Sequence, residues 1–334
     1  MRVDKVKISD IAKELEVSTI SVSRALAGQA GVSDELRSKI LIKAKEMGYF
    51  KSKNNEDIKI LVLHQKPFIQ DSSNYSKMVQ GIEKAIQEKK CEYDLQFVDK
   101  ERQEDLYLPC KLQKGSNFDG IIFIGRFNSE YVNFISSKIK NQVFYTGYSP
   151  SFDCDSVWYN FNNGGYKQCE CLIKKGHTKI GFLGDSSIYK NKEKVLGITS
   201  ALEDYKLPTI DELFIYEENF EEKVIEVINS KDAPTAIICQ WDYTAVKLIK
   251  FLYEKGIKVP DDISVIGSGN TDMSSLSIPA LTTLELNIDY ACEVAIELLL
   301  KRISKPEKPY ENITINSVLV ERDSIKIIKR EREL

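Results

Sequence analysis

The chain has 334 residues, 42% of them apolar and 29% charged, which suits a large folded body with a small appendage and excludes a disordered polymer. No apolar run is long enough to span a bilayer, and the start, Met-Arg-Val-Asp-Lys-Val-Lys, carries charge where a signal peptide needs an apolar stretch, so a cytoplasmic location is expected. Residues 1–53 hold eleven Lys/Arg against seven Asp/Glu, a net of +4; with −3 overall the remainder carries −7, the asymmetry of a DNA-binding appendage on an acidic body.

Residues 6–50 read as three short helices. Ser9 is expected to cap the first, with Ile11 and Leu15 on one face. Glu16-Val17-Ser18 is a tight turn, and Ser18 caps a second helix running from Thr19 to about Ala27, with Val22 and Leu26 buried. Gly28 to Gly31 break it. Ser33 caps a third helix, Asp34 to Met47, where Leu36, Ile40 and Ala44 recur every four residues before Gly48 stops it. Two helices across a tight turn, braced by a third, follow the helix-turn-helix plan. The expected domains are therefore an all-α head over 1–50, a wholly polar linker over 51–57, and a body over 58–330.

The body alternates. Strands are expected at 58–64, 93–98, 119–124, 142–146, 179–184, 235–239 and 263–267, and helices at 75–89, 162–175, 191–205, 221–230 and 242–255. Such alternation predicts an α/β body with parallel sheets, long enough for two doubly wound subdomains with a cleft between them. The stretch 290–330 should contribute to both.

Enzyme chemistry finds little support. The seven cysteines are scattered without a C-x-x-C, which fits reduced core thiols. The two histidines, His64 and His177, leave no His-rich metal site. Gly267-Ser268-Gly269 follows a strand but lacks the third glycine of a dinucleotide loop, and no Gly-Lys of a P-loop occurs. No catalytic residue, metal or cofactor is expected.

The segment Val17-Ser18-Thr19-Ile20-Ser21-Val22-Ser23-Arg24-Ala25-Leu26 is the densest in chemistry. Its hydroxyls lower helix propensity, yet they suit phosphate oxygens, and Arg24 suits guanine in a major groove. A solvated polar face is the plainer alternative, and from the residues alone Ile20 reads as core.

Residues 7–49 resemble the head-piece of the LacI/GalR family of bacterial repressors, through Asp10-Ile11-Ala12, Val17-Ser18, Ser21-Val22-Ser23-Arg24, Val32-Ser33, Arg37 and Gly48-Tyr49. The body is similar as well, at Gly176-His177-Thr178-Lys179-Ile180-Gly181-Phe182, Pro260-Asp261-Asp262-Ile263-Ser264-Val265-Ile266-Gly267 and Pro279-Ala280-Leu281-Thr282-Thr283. With Gly120 to Phe127, the general look is nearest to members controlling galactoside use. The resemblance implies a dimeric repressor that binds operator DNA and is controlled by a small polar effector, a sugar or sugar phosphate. It puts Thr19 and Ile20 at base-choosing positions, turning Ile20 outward, and Arg24 at the DNA surface. Ser18, Ser21, Ser23, Ser33 and Tyr49 would contact or position phosphates, and Ser9 joins them as a candidate.

The chain also departs from the family pattern. The family's Pro-Asn-x-x-Ala-Arg-x-Leu hinge is missing, and Phe50 to Asp57 hold no proline, alanine or leucine, so a minor-groove leucine wedge is not expected. Lys51 and Lys53 would instead reach phosphates as an extended arm. At the effector site Lys194 replaces the usual arginine, Trp241 precedes Asp242 in place of Asn or Ser, Gly269 precedes Asn270, and Gly147 replaces a frequent Asp. The candidate ligand residues are Tyr75, Arg126, Tyr159, Phe161, Lys194, Trp241, Asp242 and Asn270. The rival readings are a sugar-binding module without DNA control and an NAD-dependent enzyme.

Overall fold

The computed structural model describes residues 6–26, 29–47, 55–66, 72–115, 117–147, 153–185, 188–215 and 220–328. The head is built from α1 (Ile8–Glu14), α2 (Thr19–Leu26) and α3 (Asp34–Met47) around Ile11, Ala12, Val22, Ala25, Ile40 and Ala44. Ser9 does not cap α1. The cap position belongs to Lys7, whose backbone N–H donates to the Asp10 carboxylate at 2.7 Å. A carboxylate in the first turn also suits the positive end of the helix, and this leaves Ser9 inside that turn. Ser18 and Ser33 do cap, accepting the backbone N–H of Ser21 at 3.0 Å and of Leu36 at 3.3 Å. Residues 55–57, at the end of the polar linker, form one 3-10 turn.

The first half of the body runs β1 (Lys59–Gln65), α4 (Ser72–Glu88), β2 (Glu92–Val98), α5 (Lys100–Glu104), α6 (Cys110–Gln113), β3 (Gly120–Ile124), α7 (Ser129–Ser136), β4 (Gln142–Tyr145) and β5 (Asp155–Tyr159). The second runs α8 (Phe161–Lys174), β6 (Ile180–Leu183), α9 (Tyr189–Asp204), β7 (Phe214–Ile215), α10 (Phe220–Ile228), β8 (Ala236–Cys239), α11 (Asp242–Glu254), β9 (Ser264–Ile266) and α12 (Asp272–Leu276). The chain then returns through β10 (Thr283–Glu285), α13 (Ile288–Ser304), β11 (Asn312–Ile315) and β12 (Val318–Val320).

Two parallel sheets result, ordered β11-β5-β4-β3-β1-β2 and β7-β6-β8-β9. Both are buried by helices on their faces, as parallel strands require. In the first half, α4 and α13 cover one face and α7 lies in the core on the other. The chain crosses between halves at Asn160, again on leaving β10, and again beyond β11. Strands β10 and β12 pair antiparallel between the sheets. Beyond β12 the chain rejoins the second sheet, where Val265 N–H donates to the Ser324 carbonyl and Ile325 packs on the core. The described part of the stretch 290–330, residues 290–328, thus serves both halves.

The return is clamped by charge. Asp155, at the start of β5, is fully buried and accepts from Arg302 Nε at 2.7 Å and Nη2 at 3.0 Å, Lys308 Nζ at 2.6 Å and Glu311 N–H at 2.8 Å. Burial pushes this carboxyl up, but the hydrogen bonds and charges of Arg302 and Lys308 outweigh it and hold it below the usual range. The ionised form is therefore favoured in the folded state. Its stabilisation is present above the unfolded pKa, near ~4, and is lost as pH falls through the lowered folded value. Asp155→Asn should destabilise the body by about 3–5 kcal/mol at neutral pH, because it strands buried cations. Urea unfolding at pH 7 and pH 3 checks this: the gap between wild type and variant should shrink at the acid end, and equal stability at pH 7 would remove the clamp from the argument.

Candidate functional site

Helix α2 has two distinct faces. Val22, Ala25 and Leu26 pack into the head core, whereas Thr19, Ile20, Ser23 and Arg24 are exposed. At 100° per residue these four span an arc of about 140° on the opposite side. Ile20 is 62% exposed, so it is an outward residue and not a core one. Ser18 and Ser21 share a 2.9 Å hydroxyl contact, which makes them helix-cap residues at the rim of this face. Ser33 and Ser9 are exposed on neighbouring turns. Arg37, half-buried, donates to the carbonyls of Arg24, Ala25 and Gln29 and so fixes the end of α2 against α3. The Arg24 guanidinium lies over Gly31, whose φ is +96°; a Cβ there would stand 3.1 Å from its Nη1. Tyr49, Lys51 and Lys53 lie outside the described residues.

The second site is a cavity of about 740 Å³ between the halves of the body. It follows from the parallel sheets, whose strands deliver their carboxyl ends to the same gap: Gln65 ending β1, Arg126 beyond β3, Thr146 after β4, Tyr159 ending β5, Gly184 after β6 and Gln240 after β8. Of the expected ligand residues, Tyr75, Arg126, Tyr159, Phe161 and Trp241 are on the wall. Arg126 is exposed there, and its backbone N–H donates to Gln65 Oε1 at 2.7 Å. Tyr159 and Phe161 serve the wall mainly by packing. The Tyr159 hydroxyl meets that of Tyr145 at 2.6 Å, and Phe161 stands edge-to-face against Trp158 and Trp241, both at 86°.

Lys194, Asp242 and Asn270 are not among the residues lining the cavity. All three are committed to a polar layer beneath it. Lys194 donates to the Gln240 carbonyl at 2.8 Å and to Ser268 Oγ at 2.6 Å, with the Trp241 ring 5.4 Å away. Asp242 accepts from Thr271 N–H at 2.7 Å, Thr271 Oγ1 at 3.0 Å and Thr283 Oγ1 at 2.5 Å. Asn270 donates to Glu285 at 2.8 Å and accepts from Arg322 at 2.6 Å. Trp241 occupies the cap position of α11 and lines the cavity, with Lys194 Nζ near its ring. His177 is a buried structural histidine, bonded to Thr235 and the Lys326 carbonyl.

Sequence reasoning missed Gln65, Asn74, Trp158, Tyr189, Lys190 and Lys247, which also line the cavity. Trp158 was hidden because β5 opens with Asp-Ser and so does not read as a strand. Its Asp is legible only with Arg302 and Lys308 beside it. Gln65, Asn74, Tyr189 and Lys190 sit at a strand end or helix starts, where the carboxyl-end rule could have found them, whereas Lys247 lies about a turn and a half into α11.

Burial pushes the Lys194 ammonium down to about 7 and pushes the Asp242 carboxyl up, the latter opposed by its hydroxyl and amide partners. The unfolded lysine therefore holds a proton that the folded one sheds, and stability should rise with pH between about 7 and 10. Lys194→Met should flatten that rise, which urea unfolding at pH 7 and pH 9.5 would measure; an unchanged slope would mean Lys194 stays charged.

Among family models, the one described as bacterial regulatory proteins, lacI family, matches residues 7–52, and the one described as periplasmic binding protein-like domain matches residues 169–325. The HTH-type transcriptional repressor PurR of Klebsiella pneumoniae is 28% identical over 335 residues, covering 95% of this chain and 96% of the relative. The ribose operon repressor of Haemophilus influenzae is 25% identical over 339 residues, covering 96% and 99%. Among solved structures, a LacI family transcriptional regulator from Enterococcus faecium with bound ribose superposes with a TM-score of 0.68 at 25% identity, covering 81% of this chain and all of that one.

Proposed function

The chain belongs to the LacI family of bacterial regulatory proteins, and from that premise we propose that it is a sequence-specific transcriptional repressor of sugar-utilisation genes, working as a cytoplasmic homodimer under the control of a small polar effector. The observation that carries this reading is the outward face of α2. A helix that holds Ile20 in water beside Thr19, Ser23 and Arg24 has kept an apolar side chain out of an available core. That arrangement is useful where the face meets base edges: a guanidinium suits guanine, and an aliphatic group suits a thymine methyl.

The effector reading rests on the cavity and on the relatives. The ribose operon repressor and the ribose-bound Enterococcus faecium regulator, alike over most of their length, support a sugar in the cleft. The dimer reading rests on an apolar patch of the second half, where Leu276 is 79% and Ile278 92% exposed beside the half-exposed Met273. Ligand that closes the two halves around the cavity would shift the paired heads. The coupling is reciprocal, so DNA must change effector affinity by the same factor as effector changes DNA affinity.

Arg24→Ala should weaken binding to a preferred duplex by about 1–3 kcal/mol and relax its base preference, with steep salt dependence in both proteins. A gel-shift titration against DNA selected by the wild-type protein from a random-duplex pool reads both effects. An unchanged Arg24→Ala curve would take α2 out of the interface.

A further inference from the structure

Asn74, at the start of α4, is 2% exposed and lines the cavity, yet neither its amide nitrogen nor its amide oxygen has a hydrogen-bond partner. A buried unpaired amide is expensive, and native structures rarely leave both of its ends unmet. Its neighbourhood shows how the space arose. Gly269, on the loop from the second half, has φ +124°, and a Cβ there would stand 2.7 Å from Asn74 Nδ2. Any side chain at 269 would occupy the place the amide fills. The polar group that faces the cavity at this point is therefore supplied from the first half of the body, against the loop that carries Gly269.

On the reading that the cleft holds the effector, we infer that Asn74 is a specificity-determining contact whose amide takes a neighbouring pair of hydroxyls on a sugar ring. An amide offers one donor edge and one acceptor atom side by side, and a vicinal diol returns one of each. The ring wall offers a face to a sugar. Trp158 and Phe161 meet at 86°, Tyr159 and Phe161 at 70°, and Phe161 and Trp241 at 86°, so Phe161 stacks face to face with none of these neighbours. The C–H face of a sugar needs one ring only. Both tryptophans of the chain, Trp158 and Trp241, lie on this wall, which makes their emission a reporter of occupancy.

The test uses the full chain, intrinsic tryptophan fluorescence and calorimetry, with D-ribose, D-galactose and cellobiose as probes and hypoxanthine and guanine as the flat-ring arm. At least one sugar should change the emission. Asn74→Leu should bind that sugar about tenfold more weakly or worse, the scale of a lost buried hydrogen bond. The melting temperature of the unliganded variant should be equal or higher, because an unpaired amide has been removed. A deoxy analogue lacking one hydroxyl of the pair should lose affinity for wild type and lose no more for the variant, since the two changes delete one interaction. A response to the bases in place of the sugars, silence toward every sugar, unchanged sugar affinity in Asn74→Leu, or a lowered melting temperature of the unliganded variant would each overturn the assignment. DNA binding by gel shift is read separately, so loss of the regulator reading and loss of this contact are distinguishable.

Discussion

The carboxylate of Asp242 fixes the arrangement on which both the cleft and the hinge depend. One of its oxygens takes the amide and hydroxyl of Thr271, and the other takes the hydroxyl of Thr283. Thr271 precedes α12 and Thr283 opens β10, the strand from which the chain leaves the second half. The Asp242 N–H in turn donates to the Ser268 carbonyl, and Ser268 Oγ receives Lys194 from α9. A single buried group thus holds the start of α11, the end of the second sheet and the crossing strand in register. Burying a carboxylate is costly unless its lone pairs are met, and here they are met entirely from within. Asp242, an expected sugar contact, thus also ties these elements together.

The same economy explains what the amino-acid order revealed and what it concealed. Periodicity placed the head helices and the strands richest in Ile, Val and Phe, because those signals are local. It missed β5, whose Asp155 is tolerable in a buried strand only when Arg302 and Lys308 arrive from 147 and 153 residues further on. It also missed α13, β11 and β12, which return to a structure already built. In the head, family register correctly turned Ile20 outward where periodicity alone would have buried it. Lys194, Asp242 and Asn270 sit in hydrogen-bond networks off the cavity lining, company that register does not carry forward with a position. Trp241 is part of that company, lining the cavity with the Lys194 ammonium beside its ring. Asn74 gave no local signal at all. Its importance lies in two unmet atoms and a glycine nearly 200 residues away, which only the folded chain brings together.

The wall of the cavity divides its labour between the two halves. The first contributes Gln65, Asn74 and Arg126, and the second contributes Lys190, Gln240, Trp241 and Lys247. Lys190 and Lys247 rest on aromatic faces, 5.7 Å from the Trp241 ring centroid and 5.8 Å from that of Tyr243, so part of the ring surface is already matched to charge. A ligand that touches both halves gains contacts only when they approach, and differential contact of that kind is what biases one arrangement over another.

The interleaved return has a consequence for synthesis. The first sheet has β11 at its edge and α13 over one face, both drawn from residues 288–315, near the far end of the chain. As the chain emerges from the ribosome, at roughly 5–20 residues per second, the first half waits with β5 unpaired on one side and the apolar face beneath α13 uncovered. Asp155 waits as well, without its cations. The second half, complete by residue 276 apart from its closing segment, is the earlier candidate for a settled core, although it is made later. Nascent chains are therefore most exposed to aggregation or to chaperone capture over residues 58–159, and a truncation before residue 288 removes the cover from a sheet whose strands are all present save one.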